Sequence, residues 1–452
     1  MHKRKKGVKR LSCVSTGEAG WMVGENKGNE MRTVDDFTRP LEYLAPVDKF
    51  LGEIVRAWAE REVMPHRRQY DEDWEQHSLI EPAFKSLMGE LGLQRMMFPE
   101  DLGGWGFGHS NYIGTGGCRL CEEVARADSG MAVAWAVTYW PFFMICNEPH
   151  VNRRLCEEFA PMFCDTTEAR FAANAMTEPQ GGADIENMEI VGGSTIETTA
   201  VLDGDEWVIN GHKLWPTNSG GVCDLFGVVC TTNPGSSDLD DFAFIFVPAD
   251  TPGCTQGGPY QKAGMAADKN GDIWFDNCRV PSWYRAHGPG LDAMYFKEVI
   301  SMGNMGSTAF VSGAMMNVYE ILKEFCSEQT YRGRPLKEND DVAGVLADIA
   351  RDIDIIRVLA YQYARMLDRP DLYGERWSDE IVTKGRAYKY FACDRAVEDL
   401  KKAMNIMGAH GSDRLCDVEK HWRDLKIVQL WMGGKQLCQM EVARWFYECE
   451  TI

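Results

Sequence analysis

The spacing of apolar residues changes twice along the chain and divides it into three parts. Over residues 40–163 the period is helical. Phe50, Ile54, Ala57 and Trp58 share one helix face, and residues 121–136 resume the pattern with Glu122 and Glu123 in the first turn, where the helix dipole favours acids. From about residue 170 the period shortens. Two turn signals, Asp203-Gly204 and Asn210-Gly211, separate short runs rich in β-branched and aromatic residues, which predicts hairpins. "LFGVVCTT", "FAFIFVPAD" and "DIWFDNCRVP" extend the strand pattern to about residue 285. From Leu291 the helical period returns. Val311, Met315, Val318, Leu322 and Phe325 form one stripe, and Leu346, Ile349, Ile353, Ile356, Ala360, Tyr363 and Leu367 form a longer one. Residues 379–407 and 428–447 supply two more helices, enough for an antiparallel four-helix bundle.

This gives an α+β chain with four parts: an unstructured basic and Gly-rich tail (1–35), an N-terminal helical domain (36–168), a central β-barrel or sandwich domain (169–288) and a C-terminal helical bundle (289–452). With 48 basic against 68 acidic residues and a net charge of −20, the chain should repel duplex nucleic acid and anionic membrane. Its basic run, Lys3 to Arg10, reads as a nucleic-acid tail or as a disordered start. No run reaches the roughly 18 uninterrupted apolar residues of a membrane span, and no apolar segment follows the basic start as in a signal peptide. The 15 cysteines therefore read as reduced thiols of a cytoplasmic protein. Cys118 and Cys121 form a lone C-x2-C without a second pair, and read as buried helix thiols with no metal.

Four motifs carry a resemblance. "AMTEPQGGAD" (175–184) resembles the T-E-P-x-x-G-S-D signature of acyl-CoA dehydrogenases. "INGHKLWPTNSG" (209–220) is similar to that family's I-N-G-x-K-x-W-I-T-N-G, "WFDNCRVP" (274–281) to its F-x-x-V-x-V-P strand, and "MGAHGSDRLCDVEKHWRDLKI" (407–427) to its G-G-x-G-Y … R-D segment. The resemblance implies the same helical, β and bundle order, a tetramer, FAD between β domain and bundle, an acyl-CoA substrate, and an electron-transfer flavoprotein as acceptor. It assigns Met176, Thr177, Trp215 and Thr217 to the flavin. Their chemistry agrees: a backbone amide and two hydroxyls suit the polar edge of an isoalloxazine, and Trp215 supplies an aromatic plane two residues from Thr217 on one side of a strand. Arg332, Asn405, Gly408 and Gln436 fall near family positions that complete the FAD site. Arg332 lies three residues past the family's arginine, where Gln329 stands, and reads equally as a solvated turn residue.

The resemblance also locates a departure. The family's base is a glutamate in Y-E-G-T after the R-D segment; here an ungapped reading puts Met432 there. A thioether cannot accept an α-proton near neutrality. The alternative family location, on the first bundle helix, falls on Gly303 beside Asn304. Glu298 is five residues upstream and rotated off that face. Glu100 and Asp101, in the Gly-rich loop 99–108, are substitute candidates. Trp135, Tyr139, Trp140, Phe142 and Phe143 read as ordinary core or as the wall of a pocket for a ring-bearing acyl group. Three readings follow: an acyl-CoA dehydrogenase with an unusual base, a silent subunit of a heterotetramer whose related chain carries the glutamate, or other CoA-ester chemistry on this fold.

Overall fold

The computed structural model describes residues 44–109, 113–186 and 196–449. The expected tail, 1–35, lies outside them. Among the described residues five main helices make the first layer, α1 (Pro46–Trp58), α2 (Ile113–Ala127), α3 (Ser129–Val137), α4 (Trp140–Cys146) and α5 (Arg153–Cys164), with two short ones over Arg67–Glu72 and Ile80–Phe84. Asp128 caps α3 by accepting from the Met131 amide at 2.8 Å, which separates α3 from α2. The apolar stretch Ser129–Cys146 is 89% buried inside the protein, as expected of core rather than of a membrane span.

Two helical readings need correction. The buried face of α1 is Asp48, Gly52, Val55 and Trp58, whereas Phe50 is 60% exposed. The face is turned because α1 lies on α2: the Arg119 side chain covers Gly52, and Arg56 bonds Glu123 at 2.8 Å. Glu122 and Glu123 do not sit in a first helical turn. They lie deep in α2 and are buried. Burial pushes the Glu122 carboxyl up, but Arg357 and Arg119 more than compensate and hold it below its usual range. Glu122 also accepts from Ser312 and Tyr361 at 2.6 and 2.9 Å. It is thus a polar rivet between α2 and the bundle.

Among the described residues the β domain has seven strands: β1 (Ala172–Ala175), β2 (Thr199–Asp203), β3 (Glu206–Leu214), β4 (Leu225–Thr231), β5 (Phe242–Pro248), β6 (Cys254–Gln256) and β7 (Asp272–Pro281). Its order is β1-β4-β2-β3-β7-β6, with β5 also on β4. β2 and β4 meet through the single pair Thr199 and Thr231, so two sub-sheets hinge into a half-barrel. Asp203-Gly204 turns the β2–β3 hairpin as expected. Asn210-Gly211 does not turn. β3 runs through it, and the pairing with β7 shifts register there. A Cβ on Gly211 would sit 2.7 Å from that of Thr198, so this glycine serves a bulge and a close approach.

The bundle comprises α6 (Leu291–Glu328), α7 (Asp340–Asp368), α8 (Asp379–Met407), α9 (Val418–Leu430) and α10 (Gly434–Tyr447). The α6 and α7 stripes are buried apart from half-buried Phe325 and Leu346. A continuous helix over 428–447 is not found. Met432, Gly433 and Gly434 all have positive φ (49°, 79° and 57°), and they reverse the chain between α9 and α10. The three domains meet at Lys420, wholly buried, whose ammonium lies 2.8 Å from Asp128 and 2.6 Å from Asp424. Asp424 in turn accepts from the Met265 amide of the β domain at 2.6 Å. Burial opposes the charge on Lys420, yet these carboxylates raise its pKa well above the ordinary value.

Gly313 on α6 crosses α2 at the Glu122 carbonyl, where a Cβ would clash with backbone. In an open helix Gly→Ala stabilises by about 1 kcal/mol. Here Gly313→Ala should destabilise by about 1–3 kcal/mol as overpacking. Urea unfolding checks the sign.

Candidate active site

Two loop segments meet at the end of the half-barrel. The Leu214 amide donates to the Thr177 carbonyl at 3.0 Å, which lays Met176-Thr177 beside Trp215-Thr217. Lys213, fully buried, donates to the Met176 carbonyl at 2.8 Å and to Glu178 at 2.7 Å. Glu178 also accepts from the Glu197 and Thr198 amides at 2.7 and 2.9 Å. Burial lowers the Lys213 pKa against the pull of Glu178. Sequence reasoning missed this pair, although both residues stand inside the quoted motifs. A Glu and a Lys set among otherwise apolar and small residues was the available signal.

The expected strand geometry of Trp215 and Thr217 is corrected: β3 ends at Leu214, and both residues lie in the turn beyond it. Trp215 has φ 69°, unusual for a bulky residue and more so before Pro216. Its backbone is held at both ends, by the Gly271 carbonyl at 3.1 Å and the Asn270 side chain at 2.7 Å. Its ring leans on Tyr260 at 4.4 Å and is half exposed. The Thr217 hydroxyl is buried and reaches Asp268 only at 3.4 Å. Asn218 ties the turn to α3, donating to the Ala134 carbonyl at 2.9 Å and lying 3.3 Å from the Thr138 hydroxyl. Two hydroxyls and a half-exposed indole along one edge fit the polar rim and flat face of a flavin.

Behind α3 lies a cavity of about 40 Å³, lined by Trp135, Tyr139, Trp140 and Phe143 with Met305 and Phe310 of α6. Phe142, also expected there, points elsewhere and packs on Phe98 and Phe163 at 4.8 and 4.7 Å. The Trp135 indole donates to the Tyr139 hydroxyl at 2.7 Å, so these polar atoms are satisfied within the wall.

Met432 and Gly303 face each other beside this cavity. A Cβ on Gly303 would lie 2.6 and 2.7 Å from the Met432 Cε and Sδ, and 2.8 Å from Trp140. The thioether therefore fills the space that any side chain at 303 would need. Trp431 stacks on Trp140 at 5.6 Å. Two buried cations hold this turn by its carbonyls. Lys389 donates to the Trp431 oxygen at 2.6 Å, and Arg386 Nη1 to that of Met432 at 2.9 Å. Arg386 also pairs with Glu441 at 2.6 Å and Glu186 at 3.2 Å. Burial raises the Glu186 carboxyl despite Arg386 and Lys389.

The other candidates lie apart. Glu100 and Asp101 occupy an exposed turn, where Asp101 is engaged by Arg153 at 2.6 and 2.9 Å. Glu298 is buried against Asn147 at 2.8 Å and Arg376 at 3.2 Å. Arg332 sits in an exposed turn after α6, with its guanidinium over the Tyr331 ring. Asn405 and Gly408 are exposed at the C-terminal end of α8, and Gln436 lines a separate surface cleft of about 540 Å³ between α8, α9 and α10. None of these four joins the Thr177 and Trp215 group within the chain. Trp377 is half-buried against Tyr295 and His150.

Three family models match in order: acyl-CoA dehydrogenase N-terminal domain over 48–148, middle domain over 173–278 and C-terminal domain over 294–447. A probable acyl-CoA dehydrogenase of Bacillus subtilis is 28% identical over 89% of this chain and 98% of its own length. A cyclohexane-1-carbonyl-CoA dehydrogenase of Geobacter metallireducens is 27% identical over 88% of this chain and 96% of its own. A glutaryl-CoA dehydrogenase of Mycobacterium smegmatis, solved in complex with FADH2, shares the fold with TM-score 0.78 at 18% identity, covering 93% and 100% of the two chains.

The contact between residues 303 and 432 makes a quantitative expectation. Gly303→Ala must displace the Met432 thioether, whereas Met432→Ala empties that space. The double variant should recover stability relative to the sum of the singles, with a coupling of about 0.5–3 kcal/mol. Thermal unfolding of the four proteins measures it; strict additivity would show that the two residues do not compete for this space.

Proposed function

The chain belongs to the acyl-CoA dehydrogenase family, and on that footing we propose that it oxidises a CoA thioester with a bulky or cyclic acyl group, holding FAD and using a base other than residue 432. The observation that carries this is the Asn218 link. It ties the turn that carries Trp215 and Thr217 to α3, whose Trp135 lines the cavity together with Tyr139 just beyond the helix. A flavin on the first and an acyl chain in the second become neighbours. The cyclohexane-1-carbonyl-CoA relative favours a ring, which the cavity of about 40 Å³ admits only if its aromatic walls part.

When bound, FAD supplies the acceptor for the β-hydride. The chain does the rest. Thr177 and Thr217 offer hydroxyls to the pyrimidine edge, and Trp215 covers one face. Lys213 and Glu178 keep the Met176-Thr177 segment in place. The cavity excludes water from the reacting carbons. Met432 contributes bulk and no proton acceptor. Arg332, Asn405, Gly408 and Gln436, which stand away from these groups, would meet the FAD of another subunit in a homotetramer or in a heterotetramer with a related chain. Electrons would leave to an electron-transfer flavoprotein, and the reduced thiols suit the cytoplasm. The second reading, a silent subunit whose partner carries the base, draws on the non-acidic residues at both 303 and 432.

The purified chain should be yellow, and anaerobic cyclohexane-1-carbonyl-CoA should bleach its flavin. Trp215→Ala should lose flavin more readily on dialysis than Trp445→Ala, a change at a half-exposed tryptophan on α10. A flavin-loaded chain that no member of a straight-chain and cyclic acyl-CoA panel bleaches would favour the silent-subunit reading.

A further inference from the structure

We propose that Glu186 is the catalytic base, so that the proton acceptor reaches the active site from the β domain instead of from the bundle. This rests on the dehydrogenase reading above. Glu186 closes the short turn Ala183–Glu186, two residues beyond the flavin-side motif 175–184. Its carboxylate is buried against Arg386. Glu186 Oε2 and the Met432 carbonyl oxygen share a single nitrogen, Arg386 Nη1, at 3.2 and 2.9 Å. A buried carboxylate is thus tethered through Arg386 to the turn that lacks one of its own.

The neighbouring acids are more firmly committed. Glu441 holds Arg386 from α10 through Nε at 2.6 Å. Glu178 is taken by Lys213 and two amides, and Glu298 by Asn147 and Arg376. The Glu186 contact is long for a charge-assisted hydrogen bond, whose usual length is roughly 2.7–2.9 Å. Glu186 is thus the more loosely held of the two carboxylates on Arg386, whose charge Glu441 continues to balance when Glu186 turns towards a substrate carbon. Of the charged groups facing it, Arg386 and Lys389 lower its proton affinity and Glu441 raises it; burial outweighs the two cations, the direction a base working near neutrality needs.

In the reaction, the Cα–H bond breaks and its proton passes to a Glu186 oxygen. The electron pair left behind becomes the second bond between Cα and Cβ. FAD, when bound, would accept the Cβ hydrogen with its two electrons, which balances the two-electron oxidation of the thioester. Glu186 then returns its proton to water.

Phenylacetyl-CoA separates the base from the redox step, because its Cα carries protons and its Cβ none. The FAD-loaded chain in D₂O should exchange those α-protons, read by mass spectrometry, without bleaching. Glu186→Gln should retain FAD and slow exchange by about 10²–10⁴-fold, Glu186→Asp should lose less, and Glu186→Gln/Met432→Glu should recover most of it. In flavin-free protein, infrared difference spectra should show a carboxyl titrating above the ordinary glutamate range that vanishes in Glu186→Gln. Should Glu186→Gln not fold, Glu186→Asp keeps the charge on Arg386, and an unslowed exchange there overturns the assignment. Bleaching and exchange at wild-type rates in Glu186→Gln would overturn it while leaving the dehydrogenase reading intact; a wild-type chain that neither bleaches nor exchanges with any acyl-CoA would overturn both.

Discussion

A single buried guanidinium organises the catalytic end of this molecule. Arg386 is wholly inaccessible, and its partners come from three separate elements: Glu441 on α10, the Met432 carbonyl in the turn, and Glu186 in the β domain. A buried charge without partners is expensive, and removing one partner of a buried pair typically costs about 3–5 kcal/mol. The turn at 431–434 is therefore fixed relative to both the bundle and the flavin loop. Lys389 repeats the device on the adjacent carbonyl. Three consecutive left-handed residues would otherwise leave that turn free to shift.

Within this frame, Gly303 and Met432 behave as one steric unit. α6 presents a bare backbone at 303, and the thioether lies on it, with Trp140 and Trp431 closing the sides. The apolar wall is continuous because neither residue carries charge. A carboxylate at either position would have to be desolvated against indole and sulfur. Moving the acid to Glu186 keeps it beside Arg386, where its ionised form has a compensating partner.

What the sequence disclosed followed the range of the forces involved. The α6 and α7 stripes, the β2–β3 turn and the order of motifs depend on residues a few positions apart, and they were legible. The features that were not legible depend on distant partners. The exposed side of α1 is set by Arg119 and Glu123 of α2. The Asn210-Gly211 bulge answers to Thr198. The break between α9 and α10 is held by cations on α8. The roles of Glu122, Lys213 and Glu186 lie in pairs across tens or hundreds of residues. The Trp215 backbone could not be foreseen because a tryptophan preceding proline is normally extended.

The chemistry turns on which carboxylate meets the substrate. A crystal or cryo-EM structure of the chain with FAD and phenylacetyl-CoA answers that directly. The ring should part the walls formed by Trp140, Phe143 and Phe310, and a Glu186 oxygen should stand within hydrogen-bonding distance of Cα, with Met432 still seated on Gly303. Glu186 locked on Arg386 and turned away from Cα, with a carboxylate from another subunit over that carbon, would contradict it.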